Sequence, residues 1–434
     1  MRISSTMMSN NYLKQLNGSY EAYTKLFEQS DGKKLHRASD DAVGYSKYLR
    51  YQNSLTNVEQ FQSDITTAVS WMKNSDAALV NVTERMKEFK AKVVQAGNSP
   101  NNENDMRDIA KELLASVQEV VSDMNAQIGD RYLFSGQSDT TMPFQISDSK
   151  KARGETKTLS EAQADFFTDV NDKATVTQML KLSGSDGGTY YMNVANGNVY
   201  TEDFVENGYK DKAVDGSTVA AGDEVGNVSG WGGSGDVSTY FDKYGVINSA
   251  GTSFNSNITV DGEAVTLKFA THEQYIVEYR GDAKYISMVK KTGGIDQATD
   301  TVNQTGQDAF GSDIFDYESS PASGTAMLNE LLYAVSKIDA GDHAWAASDG
   351  LTISDAAHSQ VLGAQTTMAA RQQAYTAASD MLTTQDESIT SDITDVSSTD
   401  VAKLATKLME YQTIYSLSLS VGSKILPGTL ADYL

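Results

Sequence analysis

The chain has 434 residues, enough for two or three domains, and its 58 acidic against 35 basic side chains leave a formal net charge of −23. Such a surface repels phosphate backbones and anionic lipid, which argues against nucleic-acid binding, and the lack of cysteine removes disulfides, thiolate nucleophiles and cysteine metal sites. No apolar run reaches the 18 residues that a membrane-spanning helix needs, so no membrane insertion is expected; the opening Met1-Arg2-Ile3-Ser4-Ser5-Thr6 lacks the apolar core of a cleavable signal peptide.

From Ile3 to Gln29 the spacing Leu13, Leu16, Tyr20, Tyr23, Phe27 predicts an amphipathic helix, ended by Asp31-Gly32. A charged connector, Lys33 to Arg37, leads to Ser39, Asp40 and Asp41, one of which should cap the next helix. There, Tyr51, Val58, Ile65, Met72, Leu79, Met86 and Val93 recur every seven residues, the seam of a coiled coil or long bundle. A helix from Ala42 to Gly97 would be roughly 80 Å long and needs long partners. After Pro100, Met106, Ile109, Leu113, Val117, Val120, Met124 and Ile128 predict a third helix reaching Gly129-Asp130.

Between Phe144 and Gly324 the helical period disappears, and 22 of the 33 glycines fall there. Thr189–Val194 and Asn198–Thr201 around Asn196-Gly197 read as a hairpin, as do Ile258–Val260 and Val265–Phe269 around Asp261-Gly262. Gln274–Tyr279 and Tyr285–Val289 are further strand candidates, and Gly222–Gly235 is a glycine-rich loop. Helix returns with Met327, Leu331, Leu332, Val335 and Ile338. A second heptad run follows, Val361, Met368, Tyr375, Leu382, Ile389 and Val396, and then an apolar side from Val401 to Ile425. The only comparable repeats lie at the two ends of the chain, so the chain folds back on itself. The expected architecture is α+β: a discontinuous helical rod, 42–143 with 325–398, carrying an inserted β-rich surface domain, 144–324, and flanked by terminal assembly helices, 1–41 and 399–434.

No catalytic, metal or cofactor constellation can be assembled. His36, His272, His343 and His358 are scattered without ligand spacing, and Gly230-Trp231-Gly232-Gly233-Ser234-Gly235 has no Walker lysine. Asp261-Gly262 reads as a turn rather than a calcium loop, and Arg280-Gly281-Asp282, which spells an adhesion tripeptide, as a turn between strands. The two heptad stripes should be rod core. The outermost helices have fewer partners in view within one subunit, so Leu13, Leu16, Tyr20, Leu404, Leu408, Tyr411, Leu417 and Val421 are expected to make intersubunit or chaperone contacts.

Several segments together carry a resemblance: Met1-Arg2-Ile3-Ser4; Ala38-Ser39-Asp40-Asp41-Ala42-Val43-Gly44; Gly129-Asp130-Arg131-Tyr132-Leu133-Phe134-Ser135-Gly136 with Pro143-Phe144; and the ending Leu430-Ala431-Asp432-Tyr433-Leu434. They resemble the flagellar hook-associated protein 3 family, the hook–filament junction proteins of the flagellin superfamily. Tyr279-Arg280-Gly281-Asp282 and Asn303-Gln304-Thr305-Gly306 with Phe310-Gly311 are similar to that family too. The resemblance implies a non-enzymatic adaptor, exported by the flagellar type III pathway with a cytoplasmic chaperone. Its implied partners are the preceding hook-associated protein, flagellin and further copies of itself in a ring. The chain departs from the pattern at Ala42-Val43-Gly44, closer to flagellin, and at Ile425-Leu426-Pro427-Gly428, where the family often has a Ser-Leu pair. Flagellin itself is the alternative, although a Phe-Asn-Gly-type segment would then be expected where Leu133-Phe134-Ser135-Gly136 stands. A filament-associated hydrolase with its site in the middle domain is a further alternative, opposed by the missing His, Asp and nucleophile grouping.

Overall fold

The computed structural model describes residues 5–98, 102–167, 178–210, 223–233, 236–287, 301–311, 313–316 and 326–425. The sequence features at Met1–Ser4, Pro100, Pro321, Pro427 and Leu430–Leu434, and the end of the strand expected at Tyr285–Val289, lie outside them. The chain forms two contact units, 1–64 with 377–434, and 65–376. Their borders fall inside the two longest helices, where an unbroken heptad pattern gives no compositional mark.

In the first unit, α1 (Ser5–Glu28) ends in a single 3-10 turn and Gly32, whose φ of 87° is open to glycine. Asp40 accepts the backbone amides of His36 and Arg37 at 3.1 and 2.9 Å, holding the connector in a turn. Asp41 accepts those of Val43 and Gly44 at 3.1 and 3.0 Å and so caps α2 (Ala42–Ala96). The connector is pinned to the end of the second heptad helix, where the Lys34 amide donates to the Ser397 carbonyl at 2.8 Å. The outermost helices, expected to be short of partners, partner each other. The Tyr12 hydroxyl donates to the Ser418 carbonyl at 2.9 Å, and the Tyr20 and Tyr415 rings lie 5.8 Å apart. A Cβ at Gly422 would sit 2.0 Å from the Tyr12 hydroxyl, so this crossing needs glycine.

The second unit is built on the rest of α2. Met72, Leu79, Met86 and Val93 are buried, and they share one apolar cluster with Ile109, Leu113 and Val117 of α3 (Glu103–Met124). Burial of each such side chain contributes about 1.5–3 kcal/mol. Asn102 caps α3 by accepting from the amides of Asn104 and Asp105, while the Asp105 carboxylate accepts the Asn102 amide at 3.0 Å. The helix stops at Met124, short of the expected Gly129-Asp130. That pair is instead the turn between β1 (Gln127–Ile128) and β2 (Arg131–Tyr132). The Asn125 side chain accepts from the Phe144 amide at 3.0 Å and donates to its carbonyl at 2.9 Å, which turns the chain out of the helix.

The middle opens with β3 (Phe144–Ile146), β4 (Lys151–Gly154), β5 (Thr156–Thr158) and α4 (Glu161–Phe167). Strands β6 (Gln178–Gly184), β7 (Thr189–Met192), β8 (Asn198–Thr201) and β9 (Gly226–Asn227) follow, then the short helices α5 (Val237–Tyr240) and α6 (Ser249–Thr252). Next come β10 (Ser256–Val260), β11 (Glu263–Phe269), β12 (Thr271–Gln274) and β13 (Val277–Tyr279). A seven-stranded antiparallel sheet runs β10-β11-β6-β7-β8-β9, with β5 also on β6. It curls so far that a Cβ on Gly226 of β9 would lie 2.6 Å from Ile258 of β10. Two smaller ladders, β12 on β4 and β13 on β3, attach this sheet to the helical part.

The Asp261-Gly262 hairpin is a two-residue turn with both φ positive, 52° and 87°, in the register Val260↔Glu263. The other hairpin differs from expectation. Its turn takes in Asn193–Gly197, because the Asn193 amide bonds the Asn198 carbonyl and the Gly197 amide bonds the Asn193 carbonyl. The strand expected at Gln274–Tyr279 is two strands, β12 and β13. The described part of Tyr285–Val289 has only a single bridge, Ser287 with Thr301.

The chain closes with α7 (Gly306–Phe310), α8 (Ala326–Asp339), α9 (His343–Ala347), α10 (Asp349–Ser397) and α11 (Val401–Ile425). Val361 and Met368 of α10 join the apolar cluster of α2 and α3, as do Leu328, Leu331 and Leu332 of α8.

Candidate functional site

Among the described residues no group of His, Asp and Glu could hold a metal ion, and no helix is long and apolar enough to cross a membrane. The histidines are separate: His36 meets Asp31 at 3.0 Å, His343 the Ala96 carbonyl at 2.9 Å, and His272 is buried elsewhere. What the described residues do bring together is a set of exposed apolar side chains and a buried node.

The rod-core residues divide by depth. Met72, Leu79, Met86, Val93, Val361 and Met368 are fully buried, and Val58, Tyr375 and Leu382 nearly so, whereas Tyr51 and Ile65 are only half-buried. Of the residues expected to make contacts between subunits, Leu13, Tyr20, Leu417 and Val421 are exposed, Leu417 to 60%. Leu16, Leu408 and Tyr411 are half-buried. Leu404 is buried within the chain, so it has no free face to offer. The expected contacts left out Phe27 and Val401, which lie on the predicted apolar spacings, and Met7 and Met409, which lie off them; each is about 60% exposed.

Three segments far apart in the sequence meet at one point of the second unit: Leu133–Gly136, Tyr279–Asp282 and Asn303–Gly306. Leu133, Phe134, Ser135 and Tyr279 are buried, and Tyr132 is half-buried at the edge. The Tyr279 hydroxyl donates to the Phe134 carbonyl at 2.8 Å and accepts the Gly306 amide at 3.2 Å. The Asp282 amide donates to the Ser135 carbonyl at 3.0 Å, and the Asp282 carboxylate accepts from the Gln137 amide at 2.7 Å and the Ser138 hydroxyl at 3.3 Å. Ser135 bridges Thr305, whose hydroxyl caps α7 in a capping box with Asp308. Gly136 has φ of 73°, and a Cβ there would fall 2.0 Å from the Asp282 carboxylate. The Asp282 of the adhesion-like tripeptide is thus turned inward as a clamp.

Behind the hydroxyl, the Tyr279 and Phe144 rings lie 5.1 Å apart and Phe144 meets Phe310 edge-on at 5.7 Å. Burial pushes the Tyr279 hydroxyl well above the ordinary tyrosine range, so it stays a donor at any physiological pH.

Residues 3–139 match the bacterial flagellin N-terminal helical region. Flagellar hook-associated protein 3 of Salmonella typhimurium is 27% identical over 146 residues, 33% of this chain and 46% of that protein. A flagellin of Salmonella budapest is 23% identical over 300 residues, 59% of this chain and 58% of the relative. The chain therefore spans about half the length of these relatives. Among solved structures, the flagellar junction protein FlgL from Legionella pneumophila is similar over 75% of this chain and 98% of its own, at 12% identity and a TM-score of 0.34. That likeness is too loose to carry weight by itself.

Proposed function

We propose that this chain, whose N-terminal region is of the bacterial flagellin type, is a structural, non-enzymatic subunit of the bacterial flagellum, seated where the hook meets the filament. The observation that carries the reading is the segment Leu133-Phe134-Ser135-Gly136, which stands where flagellin would have a Phe-Asn-Gly-type sequence. It closes the node with the two middle segments that also resemble the junction family.

The terminal parts, 1–41 and 399–434, are the assembly helices. Exposed apolar side chains such as Phe27, Met409 and Leu417 are costly in water and become favourable once covered by neighbours. The helical part, 42–143 and 325–398, is the load-bearing rod, and the acidic middle, 144–324, faces solvent. The partners are the preceding hook-associated protein, flagellin and further copies of this chain. A cytoplasmic chaperone covers the C-terminal segment before export through the flagellar type III channel.

Deleting the gene should leave hooks without filaments and release unpolymerised flagellin into the medium, and immunogold should mark the hook–filament boundary. Normal filaments in the deletion strain would remove the junction role. Flagellin is the second reading, favoured by the longer span over which the flagellins match, 59% of this chain against 33%. Purified flagellin grows long filaments on seeds, and a junction subunit does not.

A further inference from the structure

Strands β4 and β5 of the middle meet α8 through charged and polar side chains, beside the apolar contact that β3 and β13 make. Every second residue along β4 and β5 is charged and buried: Arg153, Glu155 and Lys157. On α8 the facing residues Glu330, Tyr333 and Lys337 follow at intervals of three and four, one side of a helix. The Arg153 guanidinium donates to Glu330 at 3.0 Å and to Asp313 at 2.7 Å. Glu155 accepts the Tyr333 hydroxyl at 2.9 Å and has Lys337 at 3.4 Å and Lys181 of β6 at 3.5 Å. Lys157 pairs with Asp349 at 2.8 Å and with Glu206.

His272 brings a buried unpaired atom to this seam. His272 sits opposite Arg153 in the β4–β12 ladder, with its ring 4.3 Å from that of Tyr333. Its Nε2 bonds the side-chain oxygen of Gln274, whose amide nitrogen is committed to the Asn329 carbonyl at 3.1 Å. An amide oxygen only accepts, so the ring proton belongs on Nε2 and Nδ1 carries a bare lone pair. That Nδ1 is buried without a hydrogen-bond partner, 4.0 Å from the Glu155 carboxylate.

We propose that His272 is a proton sensor built into this seam: a proton taken up at Nδ1 competes for Glu155 against Tyr333 and Lys337 and loosens the hold of β4, β5 and β12 on α8. Burial holds His272 down to about 4; Arg153 and Lys337 add to this, and Gln274 and Glu155 oppose it. A histidine depressed in the folded state gives stability that is present above its ordinary value of 6.5 and is lost as pH falls toward 4. Glu155 acts in the same direction at lower pH. Burial raises it, but Lys337, Lys181 and Tyr333 outweigh that and hold it below its ordinary value. Asp313 and Glu330 have the opposite sign, since burial raises both despite Arg153, and they strengthen the seam as pH falls. Those groups are the same in His272 variants, so comparison with wild type isolates the histidine.

The test is hydrogen–deuterium exchange of the full chain from pH 7 to 4, corrected for intrinsic rate, on peptides covering 151–158 and 271–279. Wild type is compared with His272→Gln and His272→Phe, which differ in volume and hydrogen bonding but cannot titrate. The ratio of wild-type to variant opening should rise about tenfold per pH unit below 6.5 and level off toward pH 4, where it reaches roughly 150-fold. Parallel curves overturn the proposal. Should neither variant fold, carbon-13 titration of the four histidine rings in wild type decides. With the four rings assigned, a His272 ring still neutral at pH 5.5 supports the sensor, and a His272 ring protonated at that pH overturns it.

Discussion

Replacing Tyr279 by phenylalanine removes one oxygen and leaves the ring in place against Phe144. The lost hydroxyl joins all three segments of the node, so the change strands two buried groups, the Phe134 carbonyl and the Gly306 amide. An unpaired buried donor or acceptor costs about 1–3 kcal/mol, which sums to about 3 kcal/mol here and lowers the folding constant on the order of 100-fold. Tyr285→Phe is the control: its hydroxyl makes one bond, 2.7 Å to Asp308, at a half-buried position, and its loss should cost about 1 kcal/mol. Both are read from urea unfolding midpoints of the full chain at a common slope. If Tyr279→Phe costs no more than Tyr285→Phe, the three segments are not held by this hydroxyl.

Gly136→Ala should cost about 2–3 kcal/mol by the same assay, because its φ of 73° and the nearby Asp282 carboxylate both oppose a side chain; wild-type stability would contradict that. Met72→Asp, at a fully buried seam position, should cost about 4 kcal/mol or more, whereas Asn81→Asp on the exposed side should stay within about 0.5 kcal/mol. Equal thermal midpoints for that pair would mean the α2 seam is not buried. Leu417→Glu should leave the unfolding midpoint unchanged, since the side chain is exposed, yet fail to restore motility to a deletion strain; full complementation would remove α11 from the assembly surface.

The long helices were legible because a seven-residue apolar period has one physical cause, and Met72, Leu79, Met86 and Val93 are buried accordingly. The Asp261-Gly262 hairpin was legible for a similar reason, as adjacent residues open to positive φ suit one turn type. The end of α3 was misread because Ile128 continues the helical spacing while Asn125 breaks the helix through bonds to Phe144, 19 residues away in sequence. Strands β3 to β6 left no alternating pattern. Arg153, Glu155 and Lys157 occupy buried positions normally filled by apolar residues, so the period-two signal was written in charge. The node was visible only as three separate resemblances; that they touch depends on pairing across more than 140 residues.

The contact between Tyr12 and Ser418 spans 406 positions of a 434-residue chain. It sets an order in time. A chain that emerges N-terminus first, from a ribosome or through a narrow channel, presents α1 without the helix it packs against until almost all the rest has followed. Local helices form in about a microsecond, but a pairing of this sequence separation waits for its distant half and is the last contact available. The pairing of α1 with α11 is therefore the latest to close. During that interval the apolar sides of α1 are open to whatever surface lies at the exit.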